Sequence, residues 1–415
     1  MHMESPRRPL DRRMFLGASV GLAAGLSACG GKEAGDSAGM SSTADKASAN
    51  GGATLPEGLD AEDFIVHGTN PWTMESQRRE IGGAITPTDK VFVRGNLPFP
   101  PASIIEDRDA WSLEVAGVAN PRSISLAELK SLGAVTVAAV LQCSGNGRKF
   151  FEHGPSGSPW GVGAAANVLW TGVPLKTVIA ELGGLSAGAM KFITGTGGEP
   201  IPEALKDQER KVIVERSIPI EKALADGILA WDLNSEPIPL SHGGPLRLVI
   251  PGYYGVNNVK YLKRLAATEA ETDAKIQAKS YRVRPIGVSG APDQPSMFDM
   301  NVKSWITGPL GDESPKAGRH MVTCVAFSGE SPVASVEITT DGGKTWKAAE
   351  AISPMLGRYA WTQYAIQWDA RPGQHLLASR ATDASGKVQP ELRIENERGY
   401  AHNAWRDPGV TVEIA

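Results

Sequence analysis

The segment Val140-Leu141-Gln142-Cys143-Ser144-Gly145-Asn146-Gly147-Arg148-Lys149-Phe150-Phe151 joins an apolar run to a glycine-rich loop. Residues 134–141 are rich in Val and Ala and predict a buried strand. Cys143 follows at the strand end, and the two glycines after it let the backbone approach another group closely. Arg148 adds a fixed positive charge, and a thiol placed in this way predicts a reactive or metal-binding thiolate. A small buried cysteine beside a turn is the alternative that this segment alone leaves open.

Length, charge and cysteine count narrow the class of protein. A chain of 415 residues is long enough for two domains with large cores. The net charge of -4 and the absence of a dense basic run argue against a nucleic-acid partner. The three cysteines, Cys29, Cys143 and Cys324, form no CxxC pair, haem-attachment motif or zinc spacing, so a disulfide framework is not expected. Cys324 lies in a predicted strand and is expected to be a buried core residue.

The N-terminus predicts export. Residues 12–17 read Arg-Arg-Met-Phe-Leu-Gly, a twin-arginine signal, and a short apolar segment then ends in Leu26-Ser27-Ala28-Cys29-Gly30, the pattern of a lipobox. We expect residues 1–29 to be a twin-arginine lipoprotein signal with Cys29 lipidated, which places the protein in the periplasm or cell envelope. A plain signal peptide with an incidental cysteine is the alternative. From residue 30 to about residue 54 the sequence has almost no large apolar side chain, and residues 30–58 are therefore predicted to be a flexible linker.

Residues 59–278 predict a mixed α/β domain. Short strands are expected at 91–98, 111–118, 134–141, 190–194, 211–215, 228–232 and 246–250. Short helices are expected at 125–132, with a capping box, and at 174–182 and 220–225. Residues 150–167 show no periodicity and predict a long loop over a site. This irregular mixture indicates an α+β fold.

Two further segments supply polar donors at strand ends. Arg94 and Asn96 follow the strand at 91–93, and His242, Arg247 and Lys260 flank a second glycine-punctuated loop. Basic donors on glycine loops suit a bound phosphate or a pterin amide, although each residue taken singly is more often structural.

The sequence from 279 to 415 changes character. Alternating strands are expected at 321–327, 333–339, 362–368 and 374–381, with turns such as Asp341-Gly342-Gly343 between them, and 297–306 is a candidate first strand. This spacing predicts an all-β, immunoglobulin-like sandwich.

Several of these motifs, in this order, resemble the sulfite oxidase family of molybdopterin enzymes, close to its bacterial, haem-free sulfite dehydrogenase branch. The matching stretches are residues 92–98 (FVRGNLP), 142–148 (QCSGNGR), 170–175 (WTGVPL), 242–247 (HGGPLR), 251–260 (PGYYGVNNVK), 337–346 (EITTDGGKTW) and 399–405 (GYAHNAW). The resemblance covers about residues 63–415. It implies that 59–278 is a molybdopterin-binding catalytic domain and that 279–415 is an immunoglobulin-like dimerisation domain of a homodimer.

The resemblance also implies roles for single residues. Cys143 would be the thiolate ligand of molybdenum, beside the sulfurs of one pyranopterin dithiolene, and a soft thiolate suits such a metal centre. Arg94 and Arg148 would form an oxyanion pocket, because a guanidinium stays charged and offers a donor fork. The positions that would hold the pterin and its phosphate are Phe92, Arg94, Asn96, His242, Arg247, Asn258, Val259 and Lys260.

Two positions depart from the family pattern. Asn96 stands where a histidine is usual, and counting back from Ser217-Ile218-Pro219 places Val214 where the active-site tyrosine is expected. Arg216 or Glu215 is a candidate to take over part of the tyrosine's role. We therefore expect molybdenum binding with an atypical substrate pocket.

The leading functional hypothesis is a molybdenum-dependent oxygen-atom-transfer oxidoreductase that converts sulfite to sulfate. It would pass electrons to an external acceptor such as a c-type cytochrome, because this chain has no haem motif. A cell-envelope S-oxide or N-oxide reductase with the same cofactor is the alternative that the missing tyrosine favours. A third reading is an anchored binding protein that keeps the fold without the metal.

Overall fold

The computed structural model describes residues 54–415. The predicted signal at 1–29, including Cys29, and nearly all of the predicted linker at 30–58 lie outside the described residues. Within the described part of the chain, no helix is both long enough and apolar enough to cross a membrane.

The described residues from 54 to 268 form thirteen strands and four short α-helices. In chain order the strands are β1 (Phe64–Thr69), β2 (Trp72–Ser76), β3 (Val93–Arg94), β4 (Ser112–Ala116), β5 (Arg122–Ser125), β6 (Val135–Gln142), β7 (Ala165–Pro174), β8 (Phe192–Gly197), β9 (Glu215–Pro219), β10 (Ile228–Leu233), β11 (Glu236–Pro237), β12 (Arg247–Val249) and β13 (Leu262–Thr268). The helices are α1 (Leu126–Ser131), α2 (Leu175–Glu181), α3 (Glu209–Val212) and α4 (Ile220–Asp226).

These strands form three sheets. A small sheet has the order β1-β2-β3, a second has β11-β10-β7-β6 with β12 also paired to β10, and a third has β5-β4-β13-β8-β9. One apolar core is shared by the second and third sheets and by helices α1, α2 and α4, with Leu113, Ile193 and Leu248 among its fully buried members. The mixture of sheets and short helices confirms the predicted α+β class for this part of the chain.

Local signals explain most element boundaries. The capping box that begins α1 is present, because the Ser125 hydroxyl accepts from the Glu128 backbone N–H while the Glu128 carboxylate accepts from the Ser125 N–H. β6 ends at Gln142, so Cys143 lies directly beyond the strand, as predicted.

Two predicted elements differ from the structure in this region. The expected strand at 211–215 is instead the end of α3 followed by β9, because Ile213 and Val214 are buried at the junction between them rather than in a sheet. The expected loop at 150–167 ends at residue 164, because β7 begins at Ala165. β7 is buried on both faces, so it lacks the two-residue alternation that would reveal a strand.

The C-terminal part is a β-sandwich, hereafter the β-domain. Its strands are β14 (Lys303–Gly308), β15 (Gly318–Phe327), β16 (Val333–Thr339), β17 (Lys347–Ala348), β18 (Glu350–Ala351), β19 (Thr362–Ala370), β20 (Gly373–Asp383) and β21 (Val410–Ile414). Two four-stranded antiparallel sheets, β14-β15-β19-β18 and β17-β16-β20-β21, enclose an apolar core. The predicted immunoglobulin-like sandwich is confirmed, although its first strand starts at Lys303 rather than at residue 297. Cys324 is fully buried in that core, as expected, and burial raises the pKa of its thiol to about 12.

Candidate functional site

One cavity brings together nearly all of the residues that the sequence singled out. It has an empty volume of about 630 Å³ including its open mouth, within the usual range for a cofactor site. The predicted residues on its wall are Phe92, Arg94, Asn96, Cys143, His242, Arg247, Asn258, Val259 and Lys260. Residues on the wall that the sequence analysis did not assign to the cofactor are Leu141, Ser144, Glu199, Val214, Ser241, Gly255, Val256 and Tyr281.

Cys143 begins a tight turn, the thiol loop (residues 143–148). The Cys143 backbone N–H donates to the Ala164 carbonyl at 2.9 Å, and the Asn146 N–H donates back to the Cys143 carbonyl at 3.0 Å. The Asn146 side chain bonds both Gln142 and the Ala164 N–H, which ties the loop to the two strands around it. These bonds fix the direction in which the half-buried thiol meets the cavity.

The β-domain supports the thiol loop from the other side. The Ala401 N–H donates to the Ser144 carbonyl at 3.0 Å, and the Lys303 ammonium donates to the Asn146 carbonyl at 3.1 Å. Gly147 has a φ of +102°, and a Cβ there would lie 2.4 Å from the His402 ring, so only glycine fits. Residues from both parts of the chain therefore shape the site.

Arg148 lies beside the cavity rather than on its wall. Its Nε donates to the Arg398 carbonyl and its Nη1 to the Ser158 carbonyl, each at 2.9 Å, and its guanidinium lies 5.4 Å from the Tyr400 ring centroid. Burial lowers the pKa of Arg148, while the nearby Cys143 thiol raises it. Its predicted part in an oxyanion pocket stays a prediction.

Arg94 places a guanidinium on the cavity wall. It is half-buried at the end of β3, and within the described residues its side chain makes no hydrogen bond or ion pair with the protein. An uncommitted guanidinium on a cavity wall suits an anionic ligand, because it provides a charged donor fork.

A second group of residues on the cavity wall carries ionisable side chains. His242 and Arg247 are buried, and Lys260 is half-buried. Burial, together with Arg247 and Lys260, lowers the pKa of His242 to about 3, so the imidazole is neutral. Burial also lowers the pKa of Lys260 and raises that of Glu199, the carboxylate on the same cavity wall.

Several polar atoms of residues that line the cavity have no partner in the described part of the chain. His242 Nε2, Glu199 Oε2 and Ser144 Oγ are buried without a hydrogen bond. Buried polar groups are almost always satisfied, so a polar ligand is expected to bind them. Cationic and neutral donors beside one carboxylate suit a phosphate and the amide-bearing edge of a pterin. Glu199 was missed in the sequence because a lone glutamate has no motif.

No group of three or more His, Cys, Asp or Glu side chains among residues 54–415 could hold a metal ion unaided. The donor set instead fits a metal held by the sulfurs of a pterin cofactor and by one protein thiolate. Cys143 is the half-buried thiol on the cavity wall, and Cys324 lies in the β-domain core.

The cavity contains a tyrosine that the sequence analysis did not find. Tyr281 lies on the wall, and so does Val214, the position to which the missing tyrosine was assigned. Burial and Tyr400 raise the pKa of the Tyr281 phenol to about 12, against the opposing effect of Arg94. Val214 does line the cavity, and Tyr281 reaches the same wall from a segment to which the sequence motifs assigned no site residue. A domain boundary placed at residue 278 had assigned Tyr281 to the β-domain.

Arg216, one of the two candidate substitutes for the tyrosine, holds the region around Tyr281. It is fully buried, donates to the Asn257 side chain and the Ile276 carbonyl, and lies 5.9 Å from the Tyr281 ring. Tyr281 also stacks on Tyr400, with ring centroids 5.3 Å apart. The other candidate, Glu215, bonds Thr196 and Arg210 instead.

Comparison with known proteins places these features in a family. Residues 99–276 match the oxidoreductase molybdopterin binding domain, and residues 294–413 match the Mo-co oxidoreductase dimerisation domain. The chain is 31% identical over 343 residues to the sulfite oxidase of Gallus gallus, covering 77% of this chain and 72% of that protein. It is 30% identical over 350 residues to an NAD(P)H nitrate reductase of Hordeum vulgare, covering 78% of this chain but only 39% of that longer protein.

A solved structure shares the fold. The sulfane dehydrogenase SoxCD from Paracoccus pantotrophus superposes with a TM-score of 0.70 at 24% identity, covering 90% of this chain and 96% of that chain.

The mitochondrial sulfite oxidase of Homo sapiens is 30% identical over 352 residues, and the match spans 62% of its length. The chain belongs to the sulfite oxidase family of molybdopterin-dependent oxidoreductases, and its cofactor is the molybdenum cofactor.

Proposed function

We propose that this protein is a sulfite dehydrogenase of the bacterial, haem-free kind, with Cys143 as the protein ligand of molybdenum. The observation that supports it best is the placement of one thiol and one uncommitted guanidinium, Arg94, on the wall of the same cavity. Sulfite and water give sulfate, two protons and two electrons. The bound molybdenum cofactor supplies the oxygen-atom transfer and accepts the two electrons.

The protein's own residues bind and orient the reactants. Arg94 neutralises the oxyanion, and the Tyr281 phenol, which stays protonated at neutral pH, donates a hydrogen bond to it. His242, Arg247, Asn258 and Lys260 hold the pterin and its phosphate, with Asn96, Phe92 and Val259 lining the same pocket. Asn96 offers an amide where the family pattern has an imidazole.

The electrons leave one at a time to a separate acceptor protein, for which a c-type cytochrome is the proposed class. This proposal rests on the sequence, which has no haem-attachment motif. We also propose export by the twin-arginine route and anchoring through lipidated Cys29, supported by residues 12–17 and 26–30. The match to a dimerisation domain supports a homodimer.

Purified, metal-loaded protein should reduce ferricyanide and cytochrome c when sulfite is added. Cys143→Ser should lose this activity and lower the molybdenum content while remaining folded, because the change is nearly isosteric. Cys324→Ser is the matched control, since Cys324 lies in the β-domain core, and it should keep both properties.

A second assay separates the alternatives. Reduction of S-oxides or N-oxides by the loaded protein with a reduced viologen dye, without sulfite oxidation, would replace the proposal by the reductase. Tyr281 supplies the cavity with a phenol that the Val214 position lacks, which supports sulfite oxidation over the reductase. Absence of molybdenum from protein made in a cofactor-competent host would leave only a binding protein.

A further inference from the structure

A buried lysine of the β-domain lies next to the thiol loop and has no counter-charge. Lys303 is the first residue of β14, and its side chain is 1% exposed. Its ammonium donates one hydrogen bond, to the Asn146 carbonyl at 3.1 Å. In the described part of the chain no carboxylate forms an ion pair with it.

An ammonium buried in this way is unfavourable, because it loses its hydration and no carboxylate among the described residues compensates the loss. Burial lowers the pKa of Lys303 to about 7, and the acid that opposes this lowering is the Cys143 thiol. Asn146 connects the two groups, since its N–H donates to the Cys143 carbonyl while its own carbonyl accepts from Lys303.

The other charged groups on this side are already paired. The Asp407 carboxylate accepts from the His402 ring at 2.8 Å and from Arg393 at 3.0 Å. His402 itself is neutral, because burial lowers its pKa to about 4. Its Nδ1 has no hydrogen-bond partner among the described residues. The positive charge of Lys303 is therefore not used by the β-domain.

We propose that Lys303 is the counter-charge of the Cys143 thiolate and its metal, a positioning residue that tunes the metal centre without touching substrate. The inference rests on the proposal that Cys143 binds molybdenum. Protonated Lys303 is a positive charge beside the thiol loop, which favours the more reduced, more negative metal and so raises the reduction potential. It also stabilises the bound thiolate.

Three substitutions separate charge from hydrogen bonding. Lys303→Gln keeps a donor for the Asn146 carbonyl and loses the charge, Lys303→Met loses both, and Lys303→Arg keeps the charge. Lys344→Met removes an exposed lysine of the same domain and is the matched control. The readouts are the molybdenum content and the reduction potential of the loaded protein, measured by a dye-mediated titration followed by electron paramagnetic resonance.

We expect Lys303→Gln and Lys303→Met to shift the reduction potential to more negative values, while Lys303→Arg and Lys344→Met stay near the wild-type value. If Lys303→Met does not fold, the reduction potential of Lys303→Gln tests the proposal, because this variant keeps the hydrogen bond to the Asn146 carbonyl. An unchanged potential in Lys303→Gln at full metal loading would overturn the inference.

The metal-free protein gives an independent readout. Without the metal, Lys303→Met should unfold at the same temperature as wild type or higher, because an uncompensated buried charge is removed. A large destabilisation confined to the metal-free form would contradict the counter-charge role. Failure of the proposed function has a different signature, which is a molybdenum signal in Cys143→Ser identical to that of wild type.

Discussion

At the scale of single residues, Tyr281 changes the view of the substrate pocket. The sequence suggested a cavity in which Val214 replaced a hydrogen-bonding tyrosine, but a phenol reaches the same cavity from the segment between the two parts of the chain. It is held by the Tyr400 ring on one side and lies close to the fully buried Arg216. A rigid, protonated phenol next to an uncommitted guanidinium is well suited to bind one small oxyanion.

Tyr281→Phe should lower kcat/KM for sulfite about tenfold to a hundredfold, because a hydrogen bond to a charged group is worth about 1.5–3 kcal/mol. The pKa of about 12 means that the phenol keeps its proton from pH 6 to 10, so the variant should show the same pH profile as wild type in that range. Steady-state kinetics over this range test both statements. Tyr364→Phe, in the β-domain strand β19, is the control that should leave kcat/KM unchanged. An unaltered kcat/KM in Tyr281→Phe would remove the phenol from the proposed site.

At the scale of elements, the position of Cys143 depends on the segment that precedes β7. The buried Glu75 carboxylate on β2 accepts from the Gly161 and Gly163 N–H groups, each at 2.9 Å, and from His67. A Cβ at Gly163 would lie 1.9 Å from the Ser76 carbonyl oxygen, so the close approach of the segment to β2 requires glycine. The Ala164 carbonyl that follows binds the Cys143 N–H. The small sheet thus positions the thiol loop through one carboxylate.

Glu75→Gln should destabilise the protein by about 2–3 kcal/mol at pH 7, because an amide cannot accept all three hydrogen bonds. Burial alone would raise the pKa of Glu75, but the bonds from His67, Gly161 and Gly163 outweigh it and lower the pKa below the usual 4.5. The carboxylate's contribution is therefore fully present above about pH 4.5 and is lost as the pH falls through the lowered folded-state pKa.

Urea unfolding of the metal-free protein at pH 7 and near pH 3.5 measures this contribution. The gap between wild type and Glu75→Gln should narrow at the lower pH. Glu62→Gln, at an exposed position, should show no such gap at either pH. A gap that is the same at both pH values would show that the charge of Glu75 is not responsible.

At the scale of the whole molecule, the two parts of the chain share more than the thiol loop. Lys222 on α4 donates to Glu330 of the β-domain at 2.9 Å and to the Tyr359 hydroxyl at 3.1 Å. Tyr359 in turn donates to Asp226 at 2.9 Å, and the Val140 N–H donates to the Tyr359 carbonyl. This network joins the β-domain to β6, the strand that ends at Cys143.

A double-mutant cycle of Lys222→Met and Glu330→Gln should give a coupling energy of about 0.5–1.5 kcal/mol. The expected coupling energy is modest because the Glu330 side chain is 51% exposed, although that of Lys222 is only 9% exposed. Solvent around Glu330 therefore weakens the attraction between the two charges. Urea unfolding of the four proteins at low and high salt measures the coupling, which should fall with salt. Additive effects, with no coupling at low salt, would mean that this pair does not hold the two parts together.

The sequence alone determined the class of fold, the β-sandwich, the thiol at the end of β6 and nine residues of the cavity wall. The fold class, the β-sandwich and the strand end follow from local signals, namely apolar periodicity and capping, which need no knowledge of distant contacts. The nine wall residues follow from the resemblance of the motifs to the sulfite oxidase family. The tertiary structure alone decided that Tyr281 and Glu199 face the cavity and that Arg148 binds carbonyl groups beside it. It also decided that Lys303 lies next to the thiol loop, 160 positions from Cys143 in the numbering. The physical reason is that the charge and hydrogen-bond environment of a site is set by chain segments far apart in sequence, and no local pattern encodes which of them meet.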